Sequence, residues 1–232
     1  MSNILTIRSV ALSKTTQASW KASGAIVFRR RNRETVWDQR FHSTTTYQAV
    51  LNLGNTDMSF EGIPVPVFNP PELVFGISSP VALRRQIPEL LPQATIMGPH
   101  WHKRSGMKGQ GKQFHPGTEG QCPVMGGDTQ AHIEGTEYRI ITVNNTIVQA
   151  TRKHGTAPNF EFEWVGVEGI SKGGFIPLLK EATETIAHFG NSVIGWDVIH
   201  NGNRPFIIEA NTSPGVNDAT AQRIVDQIRK VI

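Results

Sequence analysis

Cysteine is nearly absent from this chain, which has only Cys122. No disulfide can form within it, and that suits a reducing compartment. Cys122 lies beside Pro123 and among glycines, with no neighbouring base to activate it as a nucleophile. Long apolar runs are missing too. Nothing approaches the roughly 18 apolar residues of a membrane-spanning helix. Thr6, Arg8 and Ser9 break the N-terminal apolar stretch before it reaches signal-peptide length. The expectation is a cytoplasmic protein without a membrane partner. No sign of charge is concentrated either. Lys and Arg number 23 against 19 Asp and Glu, a net charge of +4. The densest run, Arg29, Arg30, Arg31 and Arg33, reads as a solvated turn after a strand. This mild excess suits a polyanionic ligand, and no long basic run indicates nucleic acid. With 38% hydrophobic and 18% charged residues the chain is not globally disordered. Its 232 residues suffice for one large domain or two small lobes.

Periodicity and turn residues then organise the chain. Apolar runs at 25–28 and 47–53 read as strands, the second stopped by Gly54-Asn55. Four prolines between 64 and 71 mark a loop. Residues 72–91 have helical spacing broken at Ser79-Pro80, so Ser79 is a candidate cap for a second helix over 81–91. Residues 98–128 are glycine-rich, hence loop and hairpin. Strands are expected over 131–143 and 146–152, turning at Asn144-Asn145. A helix over 177–189 is bounded by Pro177 and Gly190. A strand pair, 193–199 and 205–210, turns around Asn201-Gly202. A last helix spans 218–231, with Ile224, Val225, Ile228 and Val231 on one stripe. The sum is an α/β (α+β) chain of mostly antiparallel hairpins with flanking helices.

The strongest chemistry lies in GWDVIHNGNRPFIIEANTSPG, residues 195–215. Alternation puts Glu209 and Asn211 on one face of their strand. Asp197 lies on the partner strand. An odd connecting loop sets Asp197 opposite Glu209, with Cβ atoms about 5 Å apart. An even loop sets it opposite Ile208 and breaks the cluster. Two carboxylates and an amide oxygen form a hard-oxygen set of the kind Mg²⁺ takes. In an apolar hairpin such acids are costly without a cation.

This stretch resembles the signature of the ATP-grasp superfamily. That group includes D-alanine–D-alanine ligase, glutathione synthetase and the ligase that adds glutamate to a ribosomal protein. The nearest likeness is to small ATP-grasp proteins of tailed phages. The resemblance runs from Asn69 to about Thr220. It implies two lobes sandwiching ATP, with Asp197, Glu209 and Asn211 holding Mg²⁺ against the phosphates. It divides the chain into a substrate-side region, 1–68, a small nucleotide lobe, 69–130, and a catalytic metal-binding lobe, 131–232. HIEGTEYRI, residues 132–140, and the following hairpin resemble the family's strand pair bearing phosphate-facing arginines. That makes Arg139 and Arg152 the implied catalytic cations, with Asn159 on the phosphate or metal side. HKRSGMKGQGK, residues 102–112, resembles the lysine strand and glycine loop that fold over the phosphates. Lys103 is then the phosphate lysine, and Gly106, Gly109 and Gly111 let backbone N–H groups approach.

Gly106 to Lys112 also matches the GxxxxGK core of a P-loop. Gln113 replaces the metal-holding Ser or Thr, and Phe114-His115-Pro116-Gly117 cannot open a helix promptly. The spacing of His100, His102, His115, His132 and Cys122 fits no familiar zinc pattern. Two departures from the family stand out. Pro80 occupies the place of a nucleotide-reaching lysine, and no hinge acid for the ribose is evident. The resemblance implies an ATP-dependent carboxylate–amine ligase, working through an acyl phosphate on a carboxylate and an amine, with a peptide or protein terminus among the candidate substrates. A non-catalytic nucleotide-binding or structural protein and an ATP-grasp kinase are the alternatives. A phage origin would make the compartment the host cytoplasm.

Overall fold

The computed structural model describes residues 3–8, 13–29, 47–56, 60–61, 63–95, 98–103, 112–117, 127–155 and 161–232. The chain opens with β1 (Asn3–Arg8), α1 (Lys14–Ala22), β2 (Ile26–Arg29), β3 (Tyr47–Leu53) and β4 (Val67–Phe68). These strands form a sheet ordered β2-β1-β3-β4, and every pairing in it is parallel. The N-terminal sheet is the parallel exception to the mostly antiparallel pairing expected of the chain. The cause is α1, a crossover that carries the chain back so that β2 runs alongside β1. Its sequence, KTTQASWKA, has one large apolar residue, Trp20, and therefore no readable stripe. Ser13 starts it, its Oγ accepting from the Thr16 N–H at 3.1 Å.

Two short helices follow, α2 (Pro71–Ile77) and α3 (Pro80–Gln86). Ser79 caps α3 as expected, accepting from the Ala82 N–H at 3.1 Å. The helix stops at Gln86, short of the expected 91. Ile87 precedes Pro88, which disfavours helical backbone, and Ile87 sits at φ −132° and ψ 55°. The glycine-rich stretch supplies β5 (His100–Lys103), β6 (Lys112–His115) and β7 (Asp128–Ala131), an antiparallel sheet ordered β6-β5-β7.

The large sheet is antiparallel. It comprises β8 (Thr136–Val143), β9 (Thr146–His154), β10 (Glu161–Trp164), β11 (Val193–His200) and β12 (Pro205–Asn211), in the order β10-β9-β8-β11-β12. The expected strand over 131–143 is thus two strands in different sheets. Residues 132–135 cross between them, and a side chain at Gly135 would put Cβ 2.2 Å from the His200 carbonyl oxygen. The hairpin turn at Asn144 has the positive φ, 51°, that asparagine tolerates. The helix α4 (Phe175–Ile186) begins two residues before Pro177, after Gly174 at φ 72°. The last helix, α5 (Asp218–Val231), has the expected bounds.

Two cores hold these parts together. On one face of the large sheet, Ile140, Trp196, Val198 and Ile207 pack against Phe175, Leu179 and Ile186 of α4 and Leu73, Ile77 and Leu83 of α2 and α3. The second core joins Ile4, Trp20, Leu51 and Phe68 of the N-terminal region to Ile141, Val143 and Val193 of the large sheet and Ile224, Val225 and Ile228 of α5. Each such buried side chain contributes about 1.5–3 kcal/mol. The N-terminal region therefore shares its core with the C-terminal helix.

Candidate active site

The β11–β12 loop holds four residues, 201–204, because His200 pairs with Pro205. That is an even loop, which by itself would oppose Asp197 to Ile208. Asp197 nevertheless pairs with Glu209. Ile208 is an extra residue on β12, a β-bulge that shifts the register between Val198 and Asp197. The bulge also leaves the Ile208 carbonyl out of the ladder. That carbonyl accepts from the Lys103 ammonium at 2.5 Å, tying β5 of the small sheet to the large one.

Across the large sheet, Trp164, Thr151, Arg139, Asp197 and Glu209 pair in one row, one residue from each strand. They share a face. Arg139 grips Asp197 with two parallel bonds, Nε to Oδ1 at 2.8 Å and Nη2 to Oδ2 at 3.0 Å. Burial works against the Arg139 charge, but the bonds and charge of Asp197 outweigh it and raise its pKa. Glu209 accepts from Lys112 of β6 at 2.5 Å. Asn211 lies on the same face as Glu209 and is exposed, its Oδ1 accepting from the Ser213 N–H at 2.8 Å. Opposite Asn211 stands Gly195, and a Cβ there would lie 2.9 Å from Pro214. The missing side chain lets the loop after β12 fold back beside the acids.

Asn69, a buried residue at φ 56°, pins this loop from below. Its side-chain Nδ2 donates to the carbonyls of Val193 at 2.9 Å and Thr212 at 3.1 Å, and its Oδ1 accepts from the Val193 N–H at 2.7 Å. Thr212 directly follows Asn211.

The cations come from both sheets. Lys103 is buried, and desolvation, aided by the nearby charge of Lys112, lowers its pKa from 10.5 to about 8 despite Glu209, Asp128 and Asp197. Arg152 does not join Arg139. A regular hairpin about Asn144 would oppose Ala150 to Arg139 and keep Arg152 on the same face. An extra residue, Val148, shifts the register, so Thr151 opposes Arg139 and Arg152 pairs with Tyr138. Arg152 thus lies on the other face, bonded to Glu163 and to His154. These partners lower the Glu163 pKa, His154 first and Arg152 next. Lys153 instead takes the face of Arg139, Asp197 and Glu209, the cleft side of the large sheet that Lys103 and Lys112 of the small sheet reach, and is held by Glu137 at 2.8 Å. Gly106, Gly109, Gly111, Asn159 and Cys122 lie outside the described residues.

Pro80 opens α3, and Arg84 of that helix pairs with Asp128 and donates to the Pro92 carbonyl at 3.0 Å. On the side of β5 that carries Lys103, Trp101 stands between Phe114 and Gln130. Its ring lies 5.2 Å from Phe114, and its Nε1 donates to His132 at 3.1 Å. Sequence reading passed over Lys112, Lys153 and this aromatic group. Alternation along β5 and β6 was the available signal, but it needs the register across the intervening glycine loop. Among the described residues no three His, Cys, Asp or Glu side chains gather as a metal group. The two carboxylates and the amide of Asp197, Glu209 and Asn211 are the hard-oxygen set that remains. Their chemistry fits a divalent cation, since each carboxylate oxygen keeps lone pairs beyond those given to Arg139 and Lys112.

The fold is that of the ATP-grasp proteins. D-alanine–D-alanine ligase from Bacillus anthracis, complexed with ATP, matches with a TM-score of 0.67 at 11% identity, over 99% of this chain and 97% of that one. The ATP-grasp ligase PsnB, complexed with minimal precursor, Mg and ADP, matches at 0.63 and 12% identity, over 97% and 96%. A RimK-domain ATP-grasp protein from Sphaerobacter thermophilus matches at 0.62 and 14% identity, over 96% and 98%. No protein-family model matches the chain, and no curated protein does. Among the described residues no helix is long and apolar enough to cross a membrane.

Proposed function

We propose that this protein is an ATP-dependent ligase joining a carboxylate to an amine through an acyl phosphate. The observation that carries the reading is the row Arg139–Asp197–Glu209 beneath Lys103 and Lys112, in a fold shared with ATP-dependent ligases. Residues 69–130 would form the small nucleotide lobe and 131–232 the catalytic lobe, with 1–68 on the substrate side. Asp197, Glu209 and Asn211 would hold Mg²⁺, which when bound offsets phosphate charge. Lys112 would exchange Glu209 for a phosphate oxygen. Lys103, fixed on the Ile208 carbonyl, and Arg139, fixed on Asp197, would face the transferring phosphoryl group as preorganised cations. Trp101, Phe114 and His132 supply aromatic surface for the base. A substrate carboxylate oxygen attacks the γ-phosphorus as the β–γ bridge bond breaks, releasing ADP. The amine nitrogen then attacks the acyl carbon, inorganic phosphate leaves and the nitrogen gives up a proton. No covalent nucleophile of the protein is needed.

A non-catalytic nucleotide binder is the second reading, favoured by Pro80 at the lysine position and by Arg84 being spent on Asp128. ADP release measured over a matrix of carboxylates and amines separates the readings. The ligase reading predicts release that needs both partners. Release with a carboxylate or hydroxyl acceptor alone and no coupled product indicates a kinase. No release despite Mg–ATP binding indicates the non-catalytic binder.

A further inference from the structure

The row of cross-strand pairs ends at β10, an edge strand in which every residue is exposed. Its cleft face carries Trp164, in the row itself, and Phe162 two residues away, 50% and 47% exposed. Large aromatics left half in water beside a cleft are informative where a scattered small apolar residue is not. Each ring has a guanidinium over it: Arg139 lies 5.2 Å from the Phe162 centroid and Arg223 of α5 lies 4.2 Å from that of Trp164. Charge on this face is otherwise matched. Asp197 is held by Arg139, Glu209 by Lys112 and Glu137 by Lys153. Arg223 makes no ion pair among the described residues. The outer part of the cleft therefore presents two half-exposed aromatic rings and one cation that has no carboxylate partner among the described residues.

Distance selects the size of the ligand. Trp164 is two strands from Arg139, about 10 Å at a strand spacing of about 4.8 Å. A free amino acid cannot reach from one to the other, whereas an extended peptide covers that span in about three residues at roughly 3.4 Å each. Single-stranded nucleic acid would also stack on aromatics, but the other cations of this face are matched by carboxylates and Arg223 alone cannot neutralise a chain of phosphates.

We propose that the carboxylate substrate is a peptide segment laid across the strands, with its reacting carboxylate at Arg139 and an aromatic residue beside an acidic one on Trp164, Phe162 and Arg223. The proposal rests on the ligase reading for its reacting end. The aromatic residue packs on the rings, and the acid pairs with Arg223.

Calorimetric titration tests it, with and without Mg²⁺ and a non-hydrolysable ATP analogue. The probes are acetylated Phe-Asp-Gly-Glu, acetylated Gly-Asp-Gly-Glu, free glutamate and a ten-residue oligothymidylate. The aromatic acidic peptide is expected to bind about tenfold more tightly than the other three. Trp164→Ala and Arg223→Ala should each weaken it about fivefold or more, with Mg–ATP affinity retained. Equal binding of the two peptides, unchanged affinity in both variants, tighter binding of the oligothymidylate or no peptide binding at all overturns the proposal. A peptide preference that depends on both residues in a protein that does not bind Mg–ATP would remove the ligase reading and keep the peptide platform. Mg–ATP binding without the preference would do the reverse.

Discussion

If the proposed site takes Mg–ATP, Lys103 should make that binding depend on pH. Its ammonium is buried against the Ile208 carbonyl, and desolvation, then Lys112, lowers its pKa from 10.5 to about 8. A phosphate beside it favours the charged form and returns the pKa toward its ordinary value. Binding therefore takes up a proton wherever the free protein has lost one, and affinity falls as pH rises past about 8. With a free value near 8 returned toward 10.5 by the phosphate, the association constant should drop roughly tenfold or more between pH 7.5 and 9.5, on the order of 1–2 kcal/mol. Above about pH 8, on the order of half a proton or more enters per nucleotide bound. Calorimetry in two buffers of different ionisation enthalpy measures both quantities. Lys103→Arg keeps its charge throughout and should bind with a flat profile, and Lys103→Met should bind weakly with a flat profile. A wild-type affinity that is level across this range, or the same fall in Lys103→Met, refutes the reasoning.

Three further outcomes are expected. Arg139→Lys should lower kcat at least about tenfold, because a lysine cannot reproduce the paired bonds to Asp197, while Arg152→Met, on the far face, should leave kcat within about twofold; a steady-state assay compares them. Asn69→Gly keeps the positive φ but removes three buried bonds, so it should cost about 1–3 kcal/mol in denaturant unfolding and weaken Mg–ATP binding through the loop at Asn211. Gly135→Ala, whose Cβ would sit 2.2 Å from the His200 carbonyl, should lose about 1–3 kcal/mol or fail to fold, read as a fall in Tm.

What sequence reading recovers follows the strength of each local signal. The stripe of Ile224, Val225 and Ile228 locates α5, and the structure adds its cap, Asn217, whose side chain accepts from the Thr220 N–H. Asn144 and the Asn201-Gly202 pair mark their hairpin turns because each turn demands backbone that few residues adopt. Helix α1 escapes notice because Thr16 and Ser19 fill buried positions that apolar residues usually occupy. The parallel pairing of β1 with β2 and β3 leaves no local trace, since the partners lie far apart along the chain. The site turns on two bulges. One extra residue, Ile208, restores the Asp197–Glu209 pair that a four-residue loop would have broken. Another, Val148, sends Arg152 to the far face and Lys153 to the near one. A bulge is a fact about two strands together, so neither strand's alternation reveals it.

The central claim is that Asp197, Glu209 and Asn211, with the two small-sheet lysines, make a Mg–ATP site. Calorimetric titration of Mg–ATP into the wild type and into a Glu209→Ala, Asn211→Ala double variant tests it most directly. The account predicts saturable binding to the wild type that requires the metal, and its loss in a variant whose Tm remains close to the wild type's. Failure of the wild type to bind, or undiminished binding in the variant, would contradict it.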